Sequence, residues 1–159
     1  MSLDIVSKNE IQIVGISEVT KNQDEMSGNG KIPGLWNRFF AEGILEKIPN
    51  KKEPANILAV YTDYESDETG KYRILIGVEV TDISSIPAGM DLRKIPKGSY
   101  SKFTSETGPL VAVAVAVWQK IWSSPDLKSK RAFQSDFEVY DQRASNPESS
   151  QIDVFIGLK

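Results

Sequence analysis

The chain has neither cysteine nor histidine in its 159 residues. Without them there is no thiol nucleophile, no Ser-His-Asp triad and no ordinary zinc site. The lack of cysteine also fits a reducing, cytoplasmic setting. A basic excess is missing too: 19 Lys and Arg against 22 Asp and Glu give a formal charge of −3, so no positive field exists to hold a phosphate backbone. Direct nucleic-acid binding is therefore not expected. No Walker-type or dinucleotide-type glycine loop occurs, and no cofactor or metal is expected. The longest unbroken apolar run, Leu110 to Trp118, is about half a membrane span. The opening MSLDIVSKNE lacks a basic segment followed by an apolar core, so neither a leader nor a membrane anchor is expected.

What is present is a pattern used twice. EIQIVGISEVT, from Glu10, alternates β-branched and polar residues as a half-buried strand does. The polar stretch KNQDEMSGNGK reads as a loop, and Ile32-Pro33 leads into a helix carrying LWNRFF. NILAVYTDYE and KYRILIGVEV, divided by SDETG, read as a β-hairpin. Residues 82–98 read as a connector with one short strand around MDLRKI. The order then recurs as a strand at GSYSKFTSE, a helix at PLVAVAVAVWQKIW and two final strands, DFEVYDQ and QIDVFIGLK. The Val-Ala alternation in the second helix also suits a buried strand. Alanine's helix preference and the unbroken run into WQKIW decide for helix. Trp36 and Trp118 stand 82 residues apart, Tyr61 and Tyr140 79, and Ile76 and Ile156 80. The expected fold is therefore α+β: duplicated β-α-β-β units, approximately residues 10–81 and 97–159, forming an antiparallel sheet with two helices and a central cleft. Each unit is too small to stand alone, so residues 1–159 are read as a single domain.

A junction between two such halves favours a small-molecule pocket. Candidate walls are Trp36, Phe40, Tyr61, Trp118, Trp122, Tyr140 and Phe155. The competing reading is that the i, i+4 pairs Trp36/Phe40 and Trp118/Trp122 are simply core. The last hairpin supplies acids: Asp136, Glu138 and Tyr140 share one strand face, and Asp153 shares another with Phe155. On a solvated face these acids do nothing particular. Held against aromatic rings, they attract lipophilic cations. Asp153 and Glu138 are the first candidates for the charge, ahead of Asp136.

The ending FEVYDQRASNPESSQIDVFIGLK, with LWNRFF, WQKIW and Gly108, resembles the GyrI-like small-molecule-binding family. That family takes in the effector-binding domains of multidrug-responsive, AraC-type transcription regulators and free-standing proteins of the integron-cassette and YdeE-like type. The resemblance implies a duplicated fold with a central cleft and an acid in the last strand. Asp153 matches the family's usual glutamate with a shorter acid, and Gly157 stands where proline is usual. On this basis the chain is expected to bind amphipathic, cationic organic molecules. Since the two repeats leave no room for a helix-turn-helix, any regulation would run through a separate DNA-binding or target protein. A hydrolase built on Glu138 and Tyr140, or an inhibitory interaction module, remain the alternatives. Edge strands leave monomer or homodimer open.

Overall fold

A computed structural model of the chain describes residues 3–159; Met1 and Ser2, part of the stretch read above for a leader, lie outside the described residues. In chain order the strands are β1 Ile5–Lys8, β2 Ile11–Lys21, β3 Ile57–Thr62, β4 Lys71–Glu79, β5 Asp91–Ile95, β6 Gly98–Thr104, β7 Arg131–Tyr140 and β8 Asp153–Leu158. The helices are α1 Asn22–Met26, α2 Ile32–Ala41, α3 Ile44–Lys47, α4 Leu110–Trp122 and α5 Pro125–Lys130. Thus β2-α2-β3-β4 and β6-α4-β7-β8 follow the same order, as the doubled pattern implies. All eight strands form one antiparallel sheet in the order β1-β6-β8-β7-β3-β4-β2-β5.

That order forces the sheet to curl. β1 lies at one edge and β2 beside the other, yet only Asn9 and Glu10 separate them. Three residue steps reach roughly 10 Å, so the two edges must approach each other. β5 and β6, joined by Pro96-Lys97, impose the same constraint in the opposite direction. Each half therefore lends its leading strand to the other: β1 pairs with β6, and β5 with β2.

The inner face of the curl is filled by Ile13, Val60, Leu75, Tyr100, Phe137 and Phe155. Its outer face carries the helices. Leu35 and Phe39 of α2 pack on Ile16, Ile74 and Ile76, while Val117 and Ile121 of α4 pack on Val154 and Ile156. The helical outcome for the Val-Ala run follows from this seat. Val113, Val117 and Ile121 recur every four residues and are buried, leaving most of the alanines outward.

Three details differ from the sequence reading. KNQDEMSGNGK is not all loop, since Asn22–Met26 form α1. β7 begins at Arg131 rather than Asp136, because α5 ends just before it, started by Ser124 Oγ accepting from Leu127 N at 3.2 Å and by Pro125 in the first turn. β1 was not foreseen, being too short to show a period.

Gly15 and Gly77 face each other across β2 and β4. A Cβ on Gly15 would come 2.0 Å from Ile76 O, and one on Gly77 2.0 Å from Val14 O. The close approach of the two backbones at this point requires both side chains to be absent. Gly77→Ala is expected to destabilise the protein by about 3 kcal/mol or to abolish soluble folding, since only backbone could move away. Urea unfolding would measure this, and a change below about 1 kcal/mol would show that the strands can part without cost.

Candidate ligand cavity

The centre of the sheet is the β3·β7 pair, in which Ala59 lies opposite Glu138, Tyr61 opposite Asp136 and Ile57 opposite Tyr140. α2 and α4 sit over the flanking strands on either side. The gap between the helices leaves a cavity of about 1080 Å³ over the central pair. This is the upper end of the range for sites that take drug-sized molecules.

Glu138 lies in the cavity wall and is 3% exposed. Its Oε2 accepts from Trp118 Nε1 at 2.6 Å and from Tyr61 OH at 3.1 Å, and its Oε1 accepts from Tyr140 OH at 2.6 Å. These donors come from α4, β3 and β7, so the carboxylate ties both halves together. All three are neutral. Among the described residues no lysine or arginine forms an ion pair with Glu138. Burial pushes its pKa above the ordinary carboxylate value, while the hydrogen bonds from Tyr140, Trp118 and Tyr61 pull the other way. The tyrosines respond in turn: burial first, then the Glu138 charge, holds Tyr61 and Tyr140 well above the usual phenol value.

Asp136, two residues earlier on the same face, is in a different state. Its Oδ2 accepts from Arg131 Nη2 at 2.7 Å and from Tyr64 OH at 2.6 Å, and its Oδ1 from Gly157 N at 2.8 Å. In a regular strand, residues 131 and 136 would point to opposite faces. A bulge in β7, where the register with β8 slips between Arg131 and Asp136, brings them to one side. Phe133, at φ 50°, holds the left-handed turn of that bulge, and the Arg131 guanidinium rests 4.3 Å above its ring. Asp136 is thus neutralised from within, and Glu138 is not.

Aromatic rings complete the walls. Trp36 meets Tyr140 edge-on at 5.1 Å, and Trp118 meets Tyr61 edge-on at 5.0 Å. Phe40 stacks on Trp36 at 6.0 Å and Trp122 lies 6.0 Å from Trp118; these outer rings, 63% and 40% exposed, rim the mouth. Of the residues singled out from sequence, the structure brings Glu138, Trp36, Phe40, Tyr61, Trp118, Trp122 and Tyr140 to one cavity.

It separates Asp153 and Phe155 from it. Their parity on β8 turns them to the inner side, where Phe155 stacks on Phe137 at 4.7 Å within the curl. Asp153 accepts from Arg143 Nη2 at 2.7 Å and from Thr104 Oγ1 at 2.7 Å. Arg143 also binds Asp141 at 2.9 Å. Asp153 therefore anchors the segment 141–147, whose Asp141, Ala144 and Pro147 form part of the cavity wall. Sequence reasoning missed Tyr64, Tyr72 and Arg131, which also line the cavity. Tyr72 stands in β4 at readable parity, whereas Tyr64 lies just past the end of β3, beyond the left-handed Asp63, where strand parity no longer applies. Arg131 had no signal, because only the bulge aims it.

Comparison with known proteins agrees with this architecture. Residues 4–158 match the model of the family described as integron-associated effector binding protein. The Bacillus subtilis protein YobU, named for transcriptional regulation, is 30% identical over 150 residues, covering 93% of this chain and 92% of its own. Transcriptional regulator BrlR of Pseudomonas aeruginosa is 29% identical over 138 residues, and the match spans about half of its length (48%) and 81% of this chain. Among solved structures, an integron cassette protein of Vibrio cholerae superimposes with a TM-score of 0.78 at 25% identity, covering 99% of this chain and 95% of that one. The structure of SAV2435 bound to tetraphenylphosphonium gives 0.80 at 19% identity, with coverage of 100% and 94%.

The raised pKa of Glu138 has a consequence for stability. A carboxyl raised on folding stabilises the native state at pH below its unfolded value, and that stabilisation is lost as pH rises through the raised folded value. Glu138→Gln removes the buried charge and is expected to raise the melting temperature at pH 8 by about 2–4 °C, with little change at pH 4. Thermal melts across pH test this; parallel pH profiles for the two proteins would contradict it. Asp153→Asn should loosen only the 141–147 wall, read as faster amide exchange there with the sheet unchanged.

The fold, the cavity and the match over nearly the whole chain lead to one conclusion: the protein belongs to the integron-associated effector binding protein family.

Proposed function

We propose that the chain is a binding module for amphipathic organic cations, with the cavity as the site and the Glu138 carboxylate as the counter-charge. The observation that carries this reading is a buried carboxylate, held by three neutral donors, in an aromatic cavity open between two helices. A carboxylate so placed keeps its negative charge only at a desolvation cost. A lipophilic cation offsets that cost by supplying the missing positive charge, and the faces of Trp36, Tyr61, Trp118 and Tyr140 add cation–π attraction. An anion gains neither. The SAV2435 structure supports the reading by analogy, since its fold is shared and its bound molecule is of this class.

Binding fits the chemistry at Glu138 better than hydrolysis does. The carboxylate's partners are donors that hold it still, and the tyrosine protons beside it are pulled upward rather than made available. The naming of YobU and BrlR as regulators supports a sensing role, in which the occupied cavity is read by a separate DNA-binding or target protein.

Titration of intrinsic tryptophan fluorescence with tetraphenylphosphonium and with tetraphenylborate tests the reading, because the two ions match in shape and differ in sign. The phosphonium is expected to quench Trp36 and Trp118, the borate to leave them unchanged, and Glu138→Gln to weaken the phosphonium about 30-fold or more. Equal binding of both ions would sink the proposal. Lowering the pH should also weaken the phosphonium, because protons compete for the raised Glu138 carboxylate.

A further inference from the structure

Five charged side chains among the described residues line the cavity: Glu25, Glu68, Arg131, Glu138 and Asp141. Three of them are matched inside the fold. Glu68 lies 2.8 Å from Lys128 Nζ, Arg131 2.7 Å from Asp136 and Asp141 2.9 Å from Arg143. Glu25 and Glu138 form no ion pair among the described residues. The wall therefore carries two carboxylates whose charge the fold does not balance, and a monocation at Glu138 balances one of them.

Glu25 is held by the same kind of group as Glu138. Its Oε2 accepts from Thr20 Oγ1 at 2.6 Å and from Lys31 N at 2.7 Å, and its Oε1 accepts from Ile32 N at 3.3 Å. The two amides lie at the start of α2, whose dipole offers about half a positive charge there, less than a cation supplies. Each carboxylate thus uses three of about four acceptor positions and keeps one on Oε1. A carboxylate already fixed by its donors needs little further ordering when a cation arrives.

The two acids stand at the ends of one aromatic track. Tyr61 donates to Glu138 at 3.1 Å, and the Tyr72 ring lies 5.7 Å from the Tyr61 ring. Tyr72 OH in turn donates to Asn22 Oδ1 at 2.8 Å, and Asn22 is one turn of α1 from Glu25. On the other side Ile32 and Trp36 are one turn of α2 apart, and Trp36 meets Tyr140, which donates to Glu138. β7 and β2 are three strand spacings apart, so the two charges are separated by on the order of 15 Å. The Tyr72 phenol between them is raised by burial first, then by the charges of Glu25 and Glu138.

We infer that the cavity is a dication site in which Glu25 is the second counter-charge. Its preferred ligands carry two cationic centres on the order of 15 Å apart, joined by an apolar or aromatic spacer that lies along Tyr61, Tyr72 and Trp36. This rests on the cation reading of Glu138 and narrows it, because a monocation leaves Glu25 unbalanced. A ligand with a carboxylate at its far end meets Glu25 as a like charge and is disfavoured.

The test uses two families of triphenylphosphonium probes with arms of graded length. One ends in trimethylammonium, the other in the uncharged tert-butyl group of the same shape. Calorimetry gives dissociation constants for the wild-type protein, for Glu25→Gln and for Glu10→Gln, which removes one charge from an exposed link outside the cavity. At the matching arm length the ammonium probe is expected to bind the wild-type protein and Glu10→Gln about fivefold tighter than its isostere. In Glu25→Gln the two probes should bind alike. The amide resonances of Lys31 and Ile32, which donate to Glu25, should shift further with the ammonium probe than with the isostere, a readout that needs no variant. Equal binding of the two probes at every length overturns the dication site, as do a preference that Glu25→Gln retains and amides that do not respond. A preference independent of arm length marks attraction to the acidic surface and overturns it too. Phosphonium binding without an ammonium preference removes the second site alone; if neither family binds, the cation reading at Glu138 falls with it.

Discussion

The antiparallel pairing of β3 with β7 is the contact on which the rest of the molecule depends. It is the seam at which the two β-α-β-β runs join into one sheet. It also sets the two helices apart, because α2 packs mainly on β2 and β4 and α4 on β8, leaving the seam between them. The cavity is the space this arrangement leaves. Edge exchange then rigidifies the frame: β1 and β5, each tied by two residues to the strand that follows, hold the sheet in a curl that could not flatten without breaking a ladder.

Two carboxylates on one face of β7 illustrate how position alone divides labour. Asp136 is met by an arginine, a tyrosine and a backbone amide, and serves to hold the bulge and the adjoining wall. Glu138, two residues on, meets only neutral donors. The difference lies in the bulge, which turns Arg131 toward Asp136 and away from the seam. A paired and an unpaired carboxylate thus stand side by side, distinguished by whether the fold supplies the counter-ion.

The strands with clear alternation and the helix around LWNRFF were legible in sequence because local burial alone dictates their periods. The aromatic set was legible for a related reason: Trp36, Tyr61, Trp118 and Tyr140 recur at matching places in two similar runs, and matching places in a pseudo-twofold fold converge on its axis. Asp153 shows the limit. Its place beside Phe155 in the last strand made it as plausible as Glu138, and parity correctly put Asp153 and Phe155 together. Parity could not say which face of β8 looks toward the helices. That depends on β8 pairing with β7 in the register that sets Val154 opposite Glu138 and Asp153 opposite Val139.

Sequence by itself determined the types and doubled order of the repeated strands and of α2 and α4, the absence of thiol and imidazole chemistry and the presence of acids among aromatics. These follow from side-chain period and composition, which are local properties. Tertiary structure alone decided the exchange of β1 and β5, the aim of Arg131 through the Phe133 bulge, and which acid is left without a counter-ion. Each of these is set by pairings between residues far apart in the chain, where a shift of one residue in register reverses every side chain's face.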